Sequence, residues 1–409
     1  MRFAMLLVVI ASVLVVQPTC AESGQTDPLV AAVIERLQEK NGTEPDAQTT
    51  VAELDRIAQG LAKLGQLAQA IPIAESARVF ASNALGRHHV DTLGVLNRLG
   101  VLYHQDENYD EAGPLFRRVL EARERVLGDE HPDTLITVNN LANVYVAQRR
   151  HAQAGPLYRR ALEGRERVLG VEHPETLHSV NSLASVYMLQ GRWGEAETLF
   201  LRVLEAGQRV LGDEDQLLHI NANGLAFLYL KQRRFDEAEP LFLQAVEARE
   251  RLLGADARQT LMSINGLALL YKGQGRYEQA EPLALRLVEA YDRVLGAEHP
   301  QTLMNQNMLA LMYSEQGRFD EAVELLDRVL QVRQRVLGAE HPDTIKSISG
   351  LAMVYKAQGR YAEAEPMLRR AFAASERILG VNHPETLKIA KYLVELYKDM
   401  GRSDEQDSL

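Results

Sequence analysis

Residues 271–313 read YKGQGRYEQAEPLALRLVEAYDRVLGAEHPQTLMNQNMLALMY and contain one full turn of a repeat. The repeat has a period of 42 residues, which is most easily seen in its tyrosines: Tyr103, Tyr145, Tyr187, Tyr229, Tyr271, Tyr313, Tyr355 and Tyr397. A Leu-Gly pair, from Gly86 to Gly380, and an alanine, from Ala70 to Ala364, recur at the same interval without insertion. A fixed period of this length is typical of stacked units that contact mainly their neighbours.

Each unit contains two stretches in which apolar residues follow helical spacing. In the unit at 133–170, the first helix is predicted over 133–148 and the second carries its apolar face from Ala154 to Val168. Gly170 ends the second helix and is expected to take the left-handed conformation that closes the last carbonyls. Pro174 opens the next helix, where its missing N–H costs nothing.

Because one helix pair cannot bury its own apolar face, the pairs are expected to stack. We predict an all-α fold, an α-solenoid with a right-handed superhelix of about eight helix pairs. The predicted units are 49–86, 91–128, 133–170, 175–212, 217–254, 259–296, 301–338 and 343–380, followed by a capping helix at 385–400. A polar lead at 22–48 with a short amphipathic helix over 28–38 precedes them, and an acidic tail at 401–409 is predicted to be disordered.

Several residues match a known repeat in type and spacing: Leu141, Ala142, Tyr145, Ala154, Tyr158 and Ala161. This pattern resembles the tetratricopeptide repeat (TPR). The segments GRYEQAEPL (275–283) and LGAEHPQTL (295–303) are similar to the longer repeats of kinesin light chains, and more so to those of bacterial kinesin-light-chain-like proteins. The resemblance covers about 49–400 and implies a non-catalytic scaffold for protein interactions. It does not identify the partner, since such arrays serve many unrelated functions.

The N-terminus has the layout of a secretory signal peptide at residues 1–21. Arg2 precedes an uncharged apolar run over 3–16, and small residues follow at 19–21. We therefore expect an exported protein, periplasmic or secreted, without a transmembrane segment once the signal is removed. A buried N-terminal helix and a lipid anchor at Cys20 are the alternatives. Residues 17–19 depart from the pattern that precedes the cysteine in bacterial lipoproteins.

Other classes of function find little support in the composition. The formal net charge is −11, which disfavours nucleic-acid binding because phosphates are neutralised by Lys and Arg. Cys20 is the single cysteine, and no nucleotide-binding or hydrolase motif is present. We predict no catalytic residue and no cofactor. The most suggestive column consists of His89, His131, His173, His299, His341 and His383, with Asp215 and Ala257 in its two gaps.

Metal binding does not fit this histidine column. Ligands lie about 2 Å from a shared ion, whereas equivalent positions on stacked helices lie about 10 Å apart. We interpret each histidine as the end of a loop, directly before the next helix, and predict no metal site.

One stripe on the first helix of each unit is not explained by packing. Its central column is Asn97, Asn139, Asn181, Asn223, Asn265 and Asn307. In the TPR family this stripe lines the concave surface. An amide offers both a donor and an acceptor, so such a row can hold the backbone of an extended peptide. The alternative is that each asparagine bonds a neighbouring helix and orders the stack.

The columns beside the asparagines are apolar in the middle of the chain and basic towards its end. The apolar residues are Ile220, Met262 and Met304 on one side and Phe227, Leu269, Leu311 and Met353 on the other; the basic ones are Lys346, Lys356, Lys388 and Lys398. We hypothesise a groove for a peptide segment of a partner protein, with apolar pockets and an end that prefers acids.

Two alternatives compete with this groove. Curling of the array or the helix over 28–38 can cover the strip. The protein can also self-assemble, or support an envelope complex through its outer face, with the asparagines purely structural. The groove hypothesis expects a monomer or a weak oligomer, and an enzyme would need a site built across several units.

Overall fold

The computed structural model describes residues 27–212 and 215–402. The predicted signal peptide with Cys20 and the predicted disordered tail from 403 onward lie outside the described residues. The chain divides into two compact units, Met1–Asp213 and Glu214–Leu409, which we call the first and second units.

The described residues form helices and no strands, which confirms the predicted all-α class. The helices of the first unit are α1 (Pro28–Asn41), α2 (Ala47–Lys63), α3 (Leu67–Ala84), α4 (Val90–Gln105), α5 (Tyr109–Leu127), α6 (Pro132–Ala147), α7 (His151–Leu169), α8 (Pro174–Leu189) and α9 (Trp193–Val210). Those of the second unit are α10 (Gln216–Lys231), α11 (Phe235–Leu253), α12 (Arg258–Gly273), α13 (Tyr277–Leu295), α14 (Pro300–Glu315), α15 (Phe319–Leu337), α16 (Pro342–Ala357), α17 (Tyr361–Leu379) and α18 (Pro384–Asp399).

Within each unit, every helix packs against the next one along the chain, as expected for stacked helix pairs. The recurring alanine of each second helix is fully buried at the crossing, for example Ala112, Ala154 and Ala280. A methyl group there lets the two helices approach closely, while Phe116 and Phe242 fill the wider spaces on either side. α1 is three residues longer than the predicted helix, and packs on α2 and α3.

The glycine that ends each second helix has a conformation different from the predicted one. Gly128 has φ 92° and ψ 164°, and Gly170 has φ 96° and ψ 161°. The positive φ was expected, but ψ places both in the extended mirror region that is essentially restricted to glycine. The N–H of Gly128 still bonds the Glu124 carbonyl at 3.1 Å. Its own carbonyl accepts the Thr134 hydroxyl of the next helix at 2.9 Å.

The recurring histidines cap the helices that follow them. Nδ1 of His131 accepts the backbone N–H of Asp133 at 3.1 Å, and the other five histidines make the same bond. This satisfies one of the N–H groups that a helix start leaves without a partner. Asp215 performs the same task for Leu217 at 2.7 Å. Ala257 has the same backbone conformation and offers no acceptor.

The first helix of each pair ends in a Schellman motif, in which the residue after the cap is left-handed. In α6 the N–H of Arg150 bonds the Tyr145 carbonyl at 2.7 Å, and the N–H of Arg149 bonds the Val146 carbonyl at 2.9 Å. Glycine occupies the left-handed position in most pairs, such as Gly191 with φ 74°. The non-glycine residues there are Glu107, Arg149 and Arg233, with φ of 58° to 60°.

We predict that Arg149→Gly raises the free energy of unfolding by about 1 kcal/mol. A left-handed L-residue costs about 1–2 kcal/mol, and the greater freedom of glycine in the unfolded chain offsets part of the gain. Urea denaturation measures the change. Arg149→Ala is the control, because it keeps Cβ and should give no gain. Equal midpoints for the Gly and Ala variants would show that the position is unstrained.

Candidate functional site

The asparagine column differs in environment from one helix pair to the next. Asn97 is only 7% exposed, and its Oδ1 accepts the Thr137 hydroxyl at 3.2 Å and the Asn140 amide at 3.4 Å. It therefore ties α4 to α6 inside the first unit. At this position the structural alternative describes the asparagine well.

Three further asparagines make poor use of their amides within the stack. The Oδ1 atoms of Asn139, Asn181 and Asn223 are buried, and none has a hydrogen-bond partner among the described residues. A buried oxygen left without a donor costs about 1–3 kcal/mol. Packing alone therefore does not explain these side chains. Asn265 and Asn307 are half-buried, with no side-chain hydrogen bond within the described part of the chain.

The second unit contains a cavity of about 480 Å³ between the first helices of its last pairs, α14, α16 and α18. The structure brings together six of the predicted residues on its walls: Met304, Asn307, Leu311, Lys346, Met353 and Lys388. Met304 is 50% exposed and Leu311 is 37% exposed, so large apolar groups face solvent beside an amide. Val336 and Leu337, from the end of α15, extend the apolar wall.

The remaining predicted apolar residues lie outside this cavity. Ile220 and Met262 are exposed on α10 and α12, and Leu269 is half-buried. Phe227 was predicted to line the groove, but its ring packs edge-on against Phe242, with centroids 5.0 Å apart. The two rings fill the space beside Gly266, where a side chain would collide with them.

Sequence reasoning missed Ile136, although it stands three residues before Asn139 in the same column as Ile220. It is exposed on α6, so the first unit also presents an apolar residue beside its asparagines.

Arg333 is a buried cation on the cavity wall that the sequence analysis did not single out. It is 9% exposed, and its Nη1 donates to the Ser347 hydroxyl at 2.7 Å and to the Asp343 backbone carbonyl at 3.1 Å. Burial lowers the pKa of its guanidinium, against the opposing effect of the Asp343 charge. Among the described residues no carboxylate forms a salt bridge with it. The matching arginines in other pairs, with hydroxyl partners 14 residues later, are Arg123, Arg165 and Arg249.

The lysines of the predicted acid-preferring end have acidic neighbours of their own. Lys346 lies 3.1 Å from Asp343, and Lys388 lies 3.8 Å from Glu385. Lys356 pairs with Asp399 at 2.9 Å. The cavity walls carry Arg333, Lys346 and Lys388 against Glu298 and Asp343, and so have a small positive excess.

The sequence pattern of the tetratricopeptide repeat family matches residues 91–167, 135–206, 216–293, 262–328, 302–377 and 347–405, which together span well over half of the chain. The chain belongs to the tetratricopeptide repeat family. The comparison with curated proteins found no match.

Several solved structures are similar to this TPR protein. The repeats of a putative kinesin light chain from Podosopora anserina are 31% identical; the match covers 50% of this chain and 98% of that one, with a TM-score of 0.47. BtubC (BKLC) from P. vanneervenii is 24% identical over 58% of this chain and 93% of that one, at 0.47. The apo quorum sensor NprR from B. thuringiensis is 15% identical over 86% and 97%, at 0.61. These similarities agree with the predicted kinesin-light-chain-like type, and a bacterial origin stays a prediction.

The recurring tyrosines of the TPR array join successive pairs. The guanidinium of Arg276 lies 4.4 Å from the centre of the Tyr271 ring and bonds Glu239 of the preceding pair at 2.6 Å. The Tyr271 hydroxyl bonds the same carboxylate at 3.0 Å. The bond from Arg276 holds the pKa of Glu239 below its usual value. The TPR tyrosines thus act in the stack and leave the asparagine stripe as the unexplained surface.

No helix in 27–212 or 215–402 has both the length and the apolar character needed to cross a membrane. Over the same residues, no three His, Cys, Asp or Glu side chains are grouped as a metal site requires.

We predict that Asn97→Ala and Asn307→Ala affect stability differently. Loss of the Asn97 bonds should lower the free energy of unfolding by about 1–2 kcal/mol. Asn307→Ala removes no hydrogen bond within the described structure, and alanine is the better helix former, so stability should stay within about 0.5 kcal/mol or rise. Urea denaturation of both variants tests this. An equal loss for both would make the whole column structural.

Proposed function

We propose that this TPR protein is a non-catalytic scaffold whose asparagine-lined inner face binds an extended peptide segment of a partner protein. The observation that carries the proposal is the second-unit cavity, where exposed Met304 and Leu311 stand beside the unused amide of Asn307. An exposed apolar patch rimmed by polar groups is typical of an interaction site.

The chemistry of the cavity fits a peptide with an apolar anchor. Its volume of about 480 Å³ is in the range of sites that enclose a ligand group. Met304 and Met353 are flexible and polarisable, so they adapt to side chains of different shape. The asparagine amides can bond a peptide backbone without reading its sequence.

The charges of the cavity favour a neutral or weakly acidic segment. Three cations face two carboxylates on its walls, and two of the cations already have acidic neighbours. A strongly acidic peptide would have to compete with Asp343 and Glu385 for these lysines.

We also propose that the protein is exported, as the first 21 residues indicate, with a lipid anchor at Cys20 as the alternative. The intact mass of the protein purified from its host distinguishes the outcomes. Loss of residues 1–21 supports export by signal cleavage. A diacylglycerol-bearing N-terminus at Cys20 supports the anchor, and an uncut chain contradicts both.

Self-assembly is the second candidate, favoured by a row of exposed apolar side chains at the ends of the second helices. They are Val126, Val168 and Val210 in the first unit and Leu252, Val294, Val336 and Ile378 in the second. Light scattering of the purified protein across a concentration series tests this candidate. A stable oligomer that Val294→Asp dissociates would support it, and a monomer throughout would favour the groove.

We predict that Leu311→Asp abolishes peptide binding and that Leu285→Asp does not. Peptides are first selected against the purified protein from a displayed random library, and their affinities are then measured by fluorescence anisotropy. A charge at position 311 should weaken the selected peptides at least about tenfold, because it places a carboxylate in the apolar wall.

Leu285 is a matched control, since it is 40% exposed on α13 and does not line the cavity. Circular dichroism of both variants confirms folding. Selected peptides that bind the Leu311→Asp variant as tightly as the native protein would contradict the proposed groove.

A further inference from the structure

Six helices of the array begin with the same titratable cap. In each, histidine Nδ1 accepts the backbone N–H two residues ahead, at 3.1 to 3.3 Å. The capped helices are α4, α6 and α8 in the first unit and α14, α16 and α18 in the second. Caps at helix starts are more often Ser, Thr, Asp or Asn, whose acceptors need no imidazole.

The bond depends on the protonation state of the ring. An imidazole accepts a hydrogen bond only through an unprotonated nitrogen, and both nitrogens of the cation are donors. Protonation at Nδ1 would therefore set a donor against the backbone N–H. It would also place a positive charge at the helix end that already has a positive partial charge.

We propose that these caps make the array sensitive to pH, so that acidification through the range of imidazole titration loosens the starts of the capped helices. Neutral rings fit the folded chain better than cations do, and so the folded state binds fewer protons than the unfolded state. The free energy of unfolding must then fall as the pH falls.

The cavity is directly exposed to this effect. His299 and His341 cap α14 and α16, and Pro300, Gln301 and Asp343 from the first turns of these two helices line the cavity. Acidification should loosen one wall of the site before the rest of the unit unfolds.

Acidic groups near most caps are already paired with arginines of the neighbouring helices. The loop acid directly before the histidine bonds an arginine in the pairs Glu130–Arg167, Glu172–Arg209, Glu298–Arg335 and Glu340–Arg377. The buried Arg123, Arg165 and Arg333 donate to backbone carbonyls in the capped first turns. These arginines add positive charge on the side of the helix start.

Free carboxylates that would favour the imidazolium stand near two caps. Asp91 lies 3.5 Å from His89 and also accepts Gln48 of α2, and Asp343 lies 4.0 Å from His341 but is shared with Lys346. At His383, Glu385 faces Lys388. At His173, Glu175 lies 3.5 Å from Arg165. We therefore expect the strongest effect at His131, His173 and His299.

The chain provides its own test position at Ala257. Its φ of −63° and ψ of 138° match those of the histidine caps, and it has no side-chain acceptor. Ala257→His should add a titratable cap, and Ala257→Asn should add one that does not titrate. Urea midpoints of both variants and of the native protein are measured from about pH 8 to about pH 5, where unperturbed imidazoles change charge.

Both variants should have higher midpoints than the native protein at about pH 8. Towards about pH 5, the gain from Ala257→His should disappear and the gain from Ala257→Asn should remain. Parallel pH profiles for the two variants, or no gain from histidine at the higher pH, would overturn the proposal.

A second variant tests the native caps. Changing all six histidines to asparagine should flatten the pH dependence of the midpoint, while the other histidines, including the buried His219, stay in place as a common background. If this variant keeps the full native pH dependence, the caps are not its source. The test uses no peptide, so its result is independent of the proposed groove.

Discussion

The whole array depends on the junction at which one helix pair ends and the next begins. The glycine carbonyl accepts the threonine of the following helix, and the histidine caps the same first turn. Because Gly128 and its equivalents adopt a backbone conformation restricted to glycine, the junction has the same shape each time. The regular stacking within each unit follows from this repeated geometry, and it explains why the period stays at 42 residues without insertion.

Once the junctions, the buried alanines and the tyrosine–arginine clusters are accounted for, the first helices retain one face that packing does not use. In the second unit this face becomes a cavity with methionines, leucines, an asparagine and a buried arginine on its walls. In the first unit, Asn97 is drawn into the stack by Thr137, whereas Asn139 and Asn181 are not. The same column therefore serves two purposes, and local partners decide which one applies.

The fold was predictable from the sequence because the period, the helix pair and the helix starts are all local patterns. Arg333 was missed because its role depends on Ser347, which lies on another helix. Phe227 was misplaced because the space it fills is created by the missing side chain of Gly266, and only the packed structure shows that space. The ψ angle of Gly128 follows from how the next helix docks, which residue type alone does not determine.

The central claim is that the inner face of the second unit holds a peptide. Photocrosslinking tests it most directly, with a benzophenone amino acid introduced at position 311 and, in parallel, at position 285, in the presence of a tight-binding labelled peptide. The account predicts an efficient crosslink from position 311 and none above background from position 285. A crosslink from position 285 alone would place the peptide on the second helices and contradict the account.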